Sequence, residues 1–163
     1  MLSSLCIVPV QAEHKAPIGA LLQETGMFRP DEIAVALELI DETLARNGNL
    51  TPEDYHTFVA LSAERVVGYV CFGKTPMTTS TFDLYWIAVS PSEQGKGIGQ
   101  RLFEFACQRI QEMGGRLLVI ETASQPKYAP TRQFYERMGC TEVARIKDFY
   151  SLGDDKLIYT KSL

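Results

Sequence analysis

Residues 94–101 read Gln94-Gly95-Lys96-Gly97-Ile98-Gly99-Gln100-Arg101, between a β-prone run and a helix-forming one. Glycines let a backbone turn tightly and approach a ligand closely. The free N–H groups at a helix start, aided by the helix dipole, favour an anion such as a pyrophosphate. Lys96 and Arg101 add positive charge nearby. A P-loop needs Gly, four residues and then Gly-Lys-Ser/Thr, and no such string occurs. A Rossmann turn needs Gly-x-Gly-x-x-Gly. This run is one residue short of that, and it follows three predicted strands instead of opening a first βαβ unit. A third pattern, Gln/Arg-x-x-Gly-x-Gly/Ala, is met in full by Gln94–Gly99. Taken alone, the run also fits an ordinary strand–helix turn.

The elements around it can be placed from periodicity. Leu5 to Val10 is β-prone, and a helix is predicted from about Glu13 to Thr25, stopped by Gly26. Pro30 suits a first helical position, with Asp31 and Glu32 in the favoured first turn. Ile33, Ala36, Leu37, Ile40 and Leu44 follow at helical spacing until Asn47-Gly48. His56–Ala63 and Val66–Gly73 read as a hairpin through Glu64-Arg65, and a third strand runs from about Thr81 to Val89. Ile98, Leu102, Phe105, Ala106, Ile110 and Met113 mark one helix face, ended by Gly114-Gly115. Leu117–Ile120 reads as a strand buried on both faces. A short helix from about Thr131 to Met138 stops at Gly139, and two strands, about Thr141–Phe149 and Lys156–Lys161, close the chain. The strand–glycine turn–helix–strand unit at the centre predicts two parallel strands in a mixed sheet.

The 163 residues suit one domain over residues 1–163. Apolar residues are 45% and charged residues 22%, which excludes a disordered or collagenous chain. Sixteen Lys and Arg against 20 Asp and Glu give a net charge of −4, against a dedicated nucleic-acid binder. Cys6, Cys71, Cys107 and Cys140 lack metal-ligand spacing, and each sits in or beside an apolar stretch, which predicts small core hydrophobes. Such scattered cysteines fit a reducing compartment. The N-terminus has no basic segment before a long apolar one, and no run approaches the ~20 apolar residues of a membrane span. A soluble, cytoplasmic protein with no membrane partner is expected.

Two further segments join the glycine run: Ile87-Ala88-Val89-Ser90-Pro91 before it and Phe134-Tyr135-Glu136-Arg137-Met138-Gly139-Cys140 after it. Together they resemble the GNAT superfamily of acyl-CoA-dependent N-acetyltransferases. The resemblance is close from about Thr81 to Cys140 and extends loosely over the chain through the element order. It implies an α/β fold of the α+β type. The sheet would be mixed, mostly antiparallel and twisted, with about seven strands, flanking helices and a central V-shaped splay. It also implies acetyl-CoA as co-substrate, a primary amine as acceptor and no metal. The acceptor is left open among small metabolites, amino acids, antibiotics and protein N-termini. A homodimer is left open too, because members pair through strands or helices.

By the same resemblance, the pantetheine arm would lie in the V along Ile87, Ala88 and Val89. The Ile87 N–H would polarise the thioester carbonyl. The N–H groups of Gln94, Gly95, Lys96, Gly97, Ile98 and Gly99 would cradle the pyrophosphate. Tyr135 stands where the family has a general acid facing the sulfur; otherwise it is a packing tyrosine. Phe134 reads as core and is counted with the coenzyme site. Many members have an asparagine seven residues before the tyrosine, where this chain has Tyr128; Thr131 and Arg132 could serve the phosphate side instead. Cys140 departs from the family's usual aromatic residue.

Two carboxylates are candidate bases. Asp83 lies four residues before Ile87, where several members carry a glutamate base. Strand alternation puts Asp83, Tyr85 and Ile87 on one face unless a bulge intervenes, with Trp86 opposite as core. Asp83 is otherwise a solvated charge. Glu121 ends the next strand, and could be the base directly or through water, or bind the amine. A water chain with no single base is a third route. No cysteine falls at the reactive positions, in keeping with direct transfer. The rival class is a non-catalytic acyl-CoA-binding sensor or accessory module, and Tyr135 with two carboxylates favours the enzyme. A nucleotide-binding regulator is disfavoured by the failed phosphate motifs. His14 and His56 read as surface or packing residues, and Asp154-Asp155 as a turn. Ala144–Tyr150 with that turn resembles a bacterial branch of the superfamily, and could shape the acceptor pocket.

Overall fold

The computed structural model describes residues 4–163. Residues 1–3, part of the N-terminal segment read above for a leader, lie outside the described residues. The strands are β1 (Leu5–Pro9), β2 (His56–Ser62), β3 (Arg65–Lys74), β4 (Thr81–Val89), β5 (Leu117–Ala123), β6 (Thr141–Ser151) and β7 (Asp154–Ser162). The helices are α1 (Lys15–Thr25), α2 (Pro30–Ala45), α3 (Ile98–Glu112) and α4 (Ala129–Arg137). The strands form one sheet in the order β1-β2-β3-β4-β5-β7-β6. Among the described residues, only β4 and β5 run parallel. The mixed, mostly antiparallel seven-stranded sheet is therefore as expected.

The two sheet faces carry separate cores. One holds Leu102, Phe103, Ala106 and Ile110 of α3 against Val70, Phe72, Leu118 and Ile120. The other holds Ile18 and Leu22 of α1 and Ile33, Ala36 and Ile40 of α2 against Val59, Tyr69 and Cys71. The apolar spacing of α2 and α3 thus faces the sheet as expected for amphipathic helices. Gly26 caps α1 in the left-handed conformation. The β2–β3 turn is Ala63-Glu64, both at positive φ, one residue earlier than predicted. In β5, Leu118 and Ile120 are buried, while Leu117 and Val119 are only half-buried, so this strand is not covered equally on both faces. Cys6 is exposed, unlike the other three cysteines, and lies on β1, an edge strand of the sheet. No helix among the described residues is long and apolar enough to cross a membrane.

Two irregularities in β4 position the site. The β3–β4 register runs Cys71 opposite Trp86, then Phe72 opposite Leu84, leaving Tyr85 unmatched. Such a bulge bends its strand and increases its twist. Beyond it the side-chain alternation is reversed. Phe82 and Leu84 join the α3 core, as do Ile87 and Val89, while Trp86 and Ala88 pack on the α1–α2 side. The expected shared face of Asp83 and Ile87 is therefore corrected: Trp86 takes Asp83's side. The second irregularity is the β4–β5 ladder, which holds only Thr81–Asp83 against Leu117–Val119. From Leu84 onward β4 has no partner on that side.

Candidate active site

The opening between β4 and β5 is a cavity of about 760 Å³. Its floor is the unpaired edge of β4. The Ser90 N–H donates to Val67 O at 2.8 Å, so Ser90 faces β3. Ladder alternation then turns the N–H and C=O groups of Val89 and Ile87 toward the opening. The Val89 carbonyl accepts a bond there from Gln94 Nε2 at 3.3 Å.

At one end lies the glycine turn. Gly97 caps α3 with φ 81°, and Gly95 has φ 80°. A Cβ on either would meet nothing within 4 Å, so both backbones stand open to the cavity rather than packed against protein. Left-handed residues here leave the first N–H groups of a fifteen-residue helix without partners from that helix. Such an arrangement can cradle an anion. Gln94, Gly95, Gly97, Ile98 and Gly99 line the cavity, as do Ile87, Ala88 and Val89. Lys96 is not among the lining residues and is paired with Glu93 at 2.8 Å. Arg101 points the other way, donating to Leu5 O at 3.3 Å. Backbone N–H groups, and not these two cations, form the cradle. Gln100, which the sequence reading passed over, lines it too.

Helix α4 supplies the opposite wall with Thr131, Phe134 and Tyr135. Tyr135 is 6% exposed, among the rings of Phe103, Phe134 and Tyr159. Burial raises its phenol well above the ordinary value, so it holds its proton at neutral pH. Arg132 does not reach the cavity. It donates to Ala123 O and Gln125 O at 2.8 and 2.9 Å, and so pins the loop from β5 to α4. Tyr128 O–H donates to Met27 O at 3.0 Å, tying that loop to the α1–α2 connection.

The two candidate bases are placed differently. Glu121 lines the cavity and pairs with Lys156 at 2.9 Å. Asp83 stands outside the lining, half-buried, and accepts a 2.7 Å bond from Thr75 Oγ1 and a 3.4 Å bond from Tyr85 O–H. Burial raises its carboxyl, the Thr75 bond opposes this, and Glu121 adds to the rise. The buried thiols are also raised by burial, Cys71 to about 12 and Cys140 to about 11, which makes them poor nucleophiles.

The far end of the cavity draws on the stretch and turn read above as able to shape an acceptor pocket. Phe28 and Trp86 meet edge to face at 5.0 Å and form one side. Tyr150 of β6 and Asp154 of β7 form another. Asp154 had the pattern of a turn residue, yet it is 6% exposed and accepts from Gln125 Nε2 at 2.9 Å. Asp155 fills the turn role, accepting from Asp148 N–H. His14 and His56 are buried packing residues: His14 Nδ1 accepts from Gln11 N–H, and His56 stacks on Phe72.

A seven-stranded sheet parted between parallel central strands, with a glycine-capped helix at the mouth, is the fold of the GNAT acetyltransferases. The chain belongs to that family: the model of the acetyltransferase (GNAT) domain matches residues 53–142. A solved protein described as a GNAT-family acetyltransferase from Desulfovibrio desulfuricans is 40% identical, with a TM-score of 0.92 over 98% of this chain and 99% of that one. The PaiA N-acetyltransferase of Thermoplasma acidophilum, solved with coenzyme A, is 17% identical, with a TM-score of 0.74 over 98% and 99% of the two chains. An aminoglycoside 6′-N-acetyltransferase, also solved with coenzyme A, is 17% identical, with a TM-score of 0.75 over 96% of each chain. The last two show likeness of fold alone. No curated protein matches the sequence significantly.

Proposed function

We propose that this chain transfers an acetyl group from acetyl-CoA to a primary amine by direct attack. The observation that carries this reading is the parted β4–β5 edge, which opens on the same cavity as the Gly95–Gly97 cradle, Tyr135 and Glu121. The fit to the co-substrate rests on that cradle, where a Cβ at Gly97 would meet nothing within 4 Å.

In this reading, the N–H groups of Gln94–Gly99 hold the pyrophosphate and the β4 edge at Ile87 and Val89 holds the pantetheine arm. Bound acetyl-CoA supplies an activated acyl carbon. The Ile87 N–H donates to the thioester oxygen and stabilises charge as it develops there. The acceptor ammonium loses one proton to Glu121, directly or through water; the free amine nitrogen bonds to the acyl carbon and gives its second proton to water as the carbon–sulfur bond breaks. Tyr135, held protonated by burial, gives its proton to the departing sulfur. Glu121 serves better than Asp83 here because it faces the cavity, whereas Asp83 is engaged by Thr75.

A thiol-release assay with acetyl-CoA across small amines, amino acids and peptide N-termini tests this. Turnover on at least one amine class is expected. Coenzyme binding without turnover on any of them would make the chain a binding module instead.

A further inference from the structure

Asp154 is a buried carboxylate that the transfer chemistry leaves unused. It lines the cavity and is 6% exposed. Its Oδ2 accepts from Gln125, while its Oδ1 is buried with no hydrogen-bond partner among the described residues. A buried oxygen of this kind is costly unless something donates to it. The nearby cations are engaged elsewhere. Lys156 pairs with Glu121 and lies over the Phe149 ring at 4.6 Å. Arg132 is spent on two carbonyls, and Arg145 on Glu142 and Asp155. Lys127 lies over the Tyr128 ring at 5.0 Å.

Aromatic faces complete the surroundings. Tyr150 and Tyr128 line the same region. Burial raises the Tyr150 phenol. Lys156 opposes that, and Glu121, Asp154 and Tyr128 reinforce it, so these groups form one electrostatic cluster. A ring face beside an unmatched carboxylate suits an ammonium, which offers charge, three donors and attraction to the ring.

The level of Asp154 along the sheet separates it from the reacting centre. Glu121 stands opposite Ile158 on the β5–β7 ladder, and Asp154 lies four residues before Ile158 on β7, or roughly 13 Å at strand rise.

Resting on the acetyltransferase reading, we infer that Asp154 binds a second cationic group of the acceptor, so that the substrate is a diamine or polyamine rather than an amino acid. The amine nearer Glu121 gives up its proton there and is acetylated. The distal one pairs with the Asp154 carboxylate beside Tyr150.

The test compares spermidine, putrescine, butylamine and γ-aminobutyrate as acceptors, by thiol release. The di- and polyamines should exceed butylamine in kcat/KM by about tenfold or more, the worth of one charge-assisted bond, and γ-aminobutyrate should be poorest. Asp154→Asn should erase the advantage through KM, with coenzyme A affinity unchanged. Tyr150→Ala, an exposed position with less risk to folding, should raise the KM for spermidine in the same direction. Equal rates for γ-aminobutyrate and putrescine, or an unchanged spermidine KM in folded Asp154→Asn, would overturn the inference while leaving the transferase reading intact. If no amine is acetylated, the transferase reading fails, and calorimetry of spermidine into protein loaded with coenzyme A decides the subsite. Binding lost in Asp154→Asn upholds it, and no binding overturns it.

Discussion

Asp83 opposite Val119 is the last rung of the β4–β5 ladder. Every backbone group of β4 available to the cavity lies beyond that rung, and Tyr85 bulges two residues after it. The bulge and the parting act together. Extra twist carries β4 away from β5, and the freed edge becomes a strand-pairing surface for an extended ligand.

The glycine cradle gives the first prediction. At Gly97 an added Cβ would meet no protein atom within 4 Å, so folding should lose the ~1–2 kcal/mol of a left-handed non-glycine residue. Coenzyme A binding should be abolished, because a carboxylate would occupy the space of the pyrophosphate. Calorimetry on a folded Gly97→Glu protein checks this, and unchanged affinity would remove the phosphate site from this turn.

Glu121 and Asp83 should separate kinetically. Glu121→Gln is expected to lower kcat by ~10²-fold, the low end for a general base, with little change in coenzyme affinity. Asp83→Asn, off the cavity and held by Thr75, should cost much less. The reverse order would return the base to Asp83, and no effect from either would leave a water chain.

Tyr135→Phe keeps the ring among Phe103, Phe134 and Tyr159 and removes only the hydroxyl. If the phenol protonates the leaving sulfur, kcat and kcat/KM fall together by ~10²-fold while coenzyme A affinity holds. Wild-type kcat with chemistry shown to be rate-limiting would make Tyr135 a packing residue.

Asp83 also predicts a dependence of stability on pH. Burial raises its carboxyl above the ordinary 3.8. The folded chain then binds this proton more tightly than the unfolded chain does, so Asp83 costs stability as pH rises from 3.8 through its folded value. Asp83→Asn removes that loss. In urea titrations the variant should gain stability over wild type at neutral pH, and the gain should vanish in acid. A pH-independent difference would contradict the buried-carboxyl account.

Much of the fold was legible because its signals are local. The apolar spacing of α2 and α3 is set by the 3.6-residue period, and Gly26 and Gly97 mark helix boundaries because they adopt left-handed backbone freely. The expected coenzyme residues that line the cavity came from the family resemblance, which rests on short contiguous segments: Gln94–Gly99, Ile87–Val89, Phe134 and Tyr135. Only Lys96 in that set turned away, toward Glu93.

Tertiary structure decided what depends on register between distant segments. The bulge at Tyr85 is set by how β3 pairs with β4, and it reversed the expected alternation of Ile87 and Trp86. Whether Arg132 meets a phosphate or two carbonyls depends on the path of the loop after β5. Asp154 and Asp155 are adjacent and chemically identical. One is buried at the cavity and the other ties a hairpin, because β7 meets Gln125 on one side and Asp148 on the other. Residue type determined that carboxylates, glycines and a tyrosine were present; long-range strand pairing determined which of them face the same space.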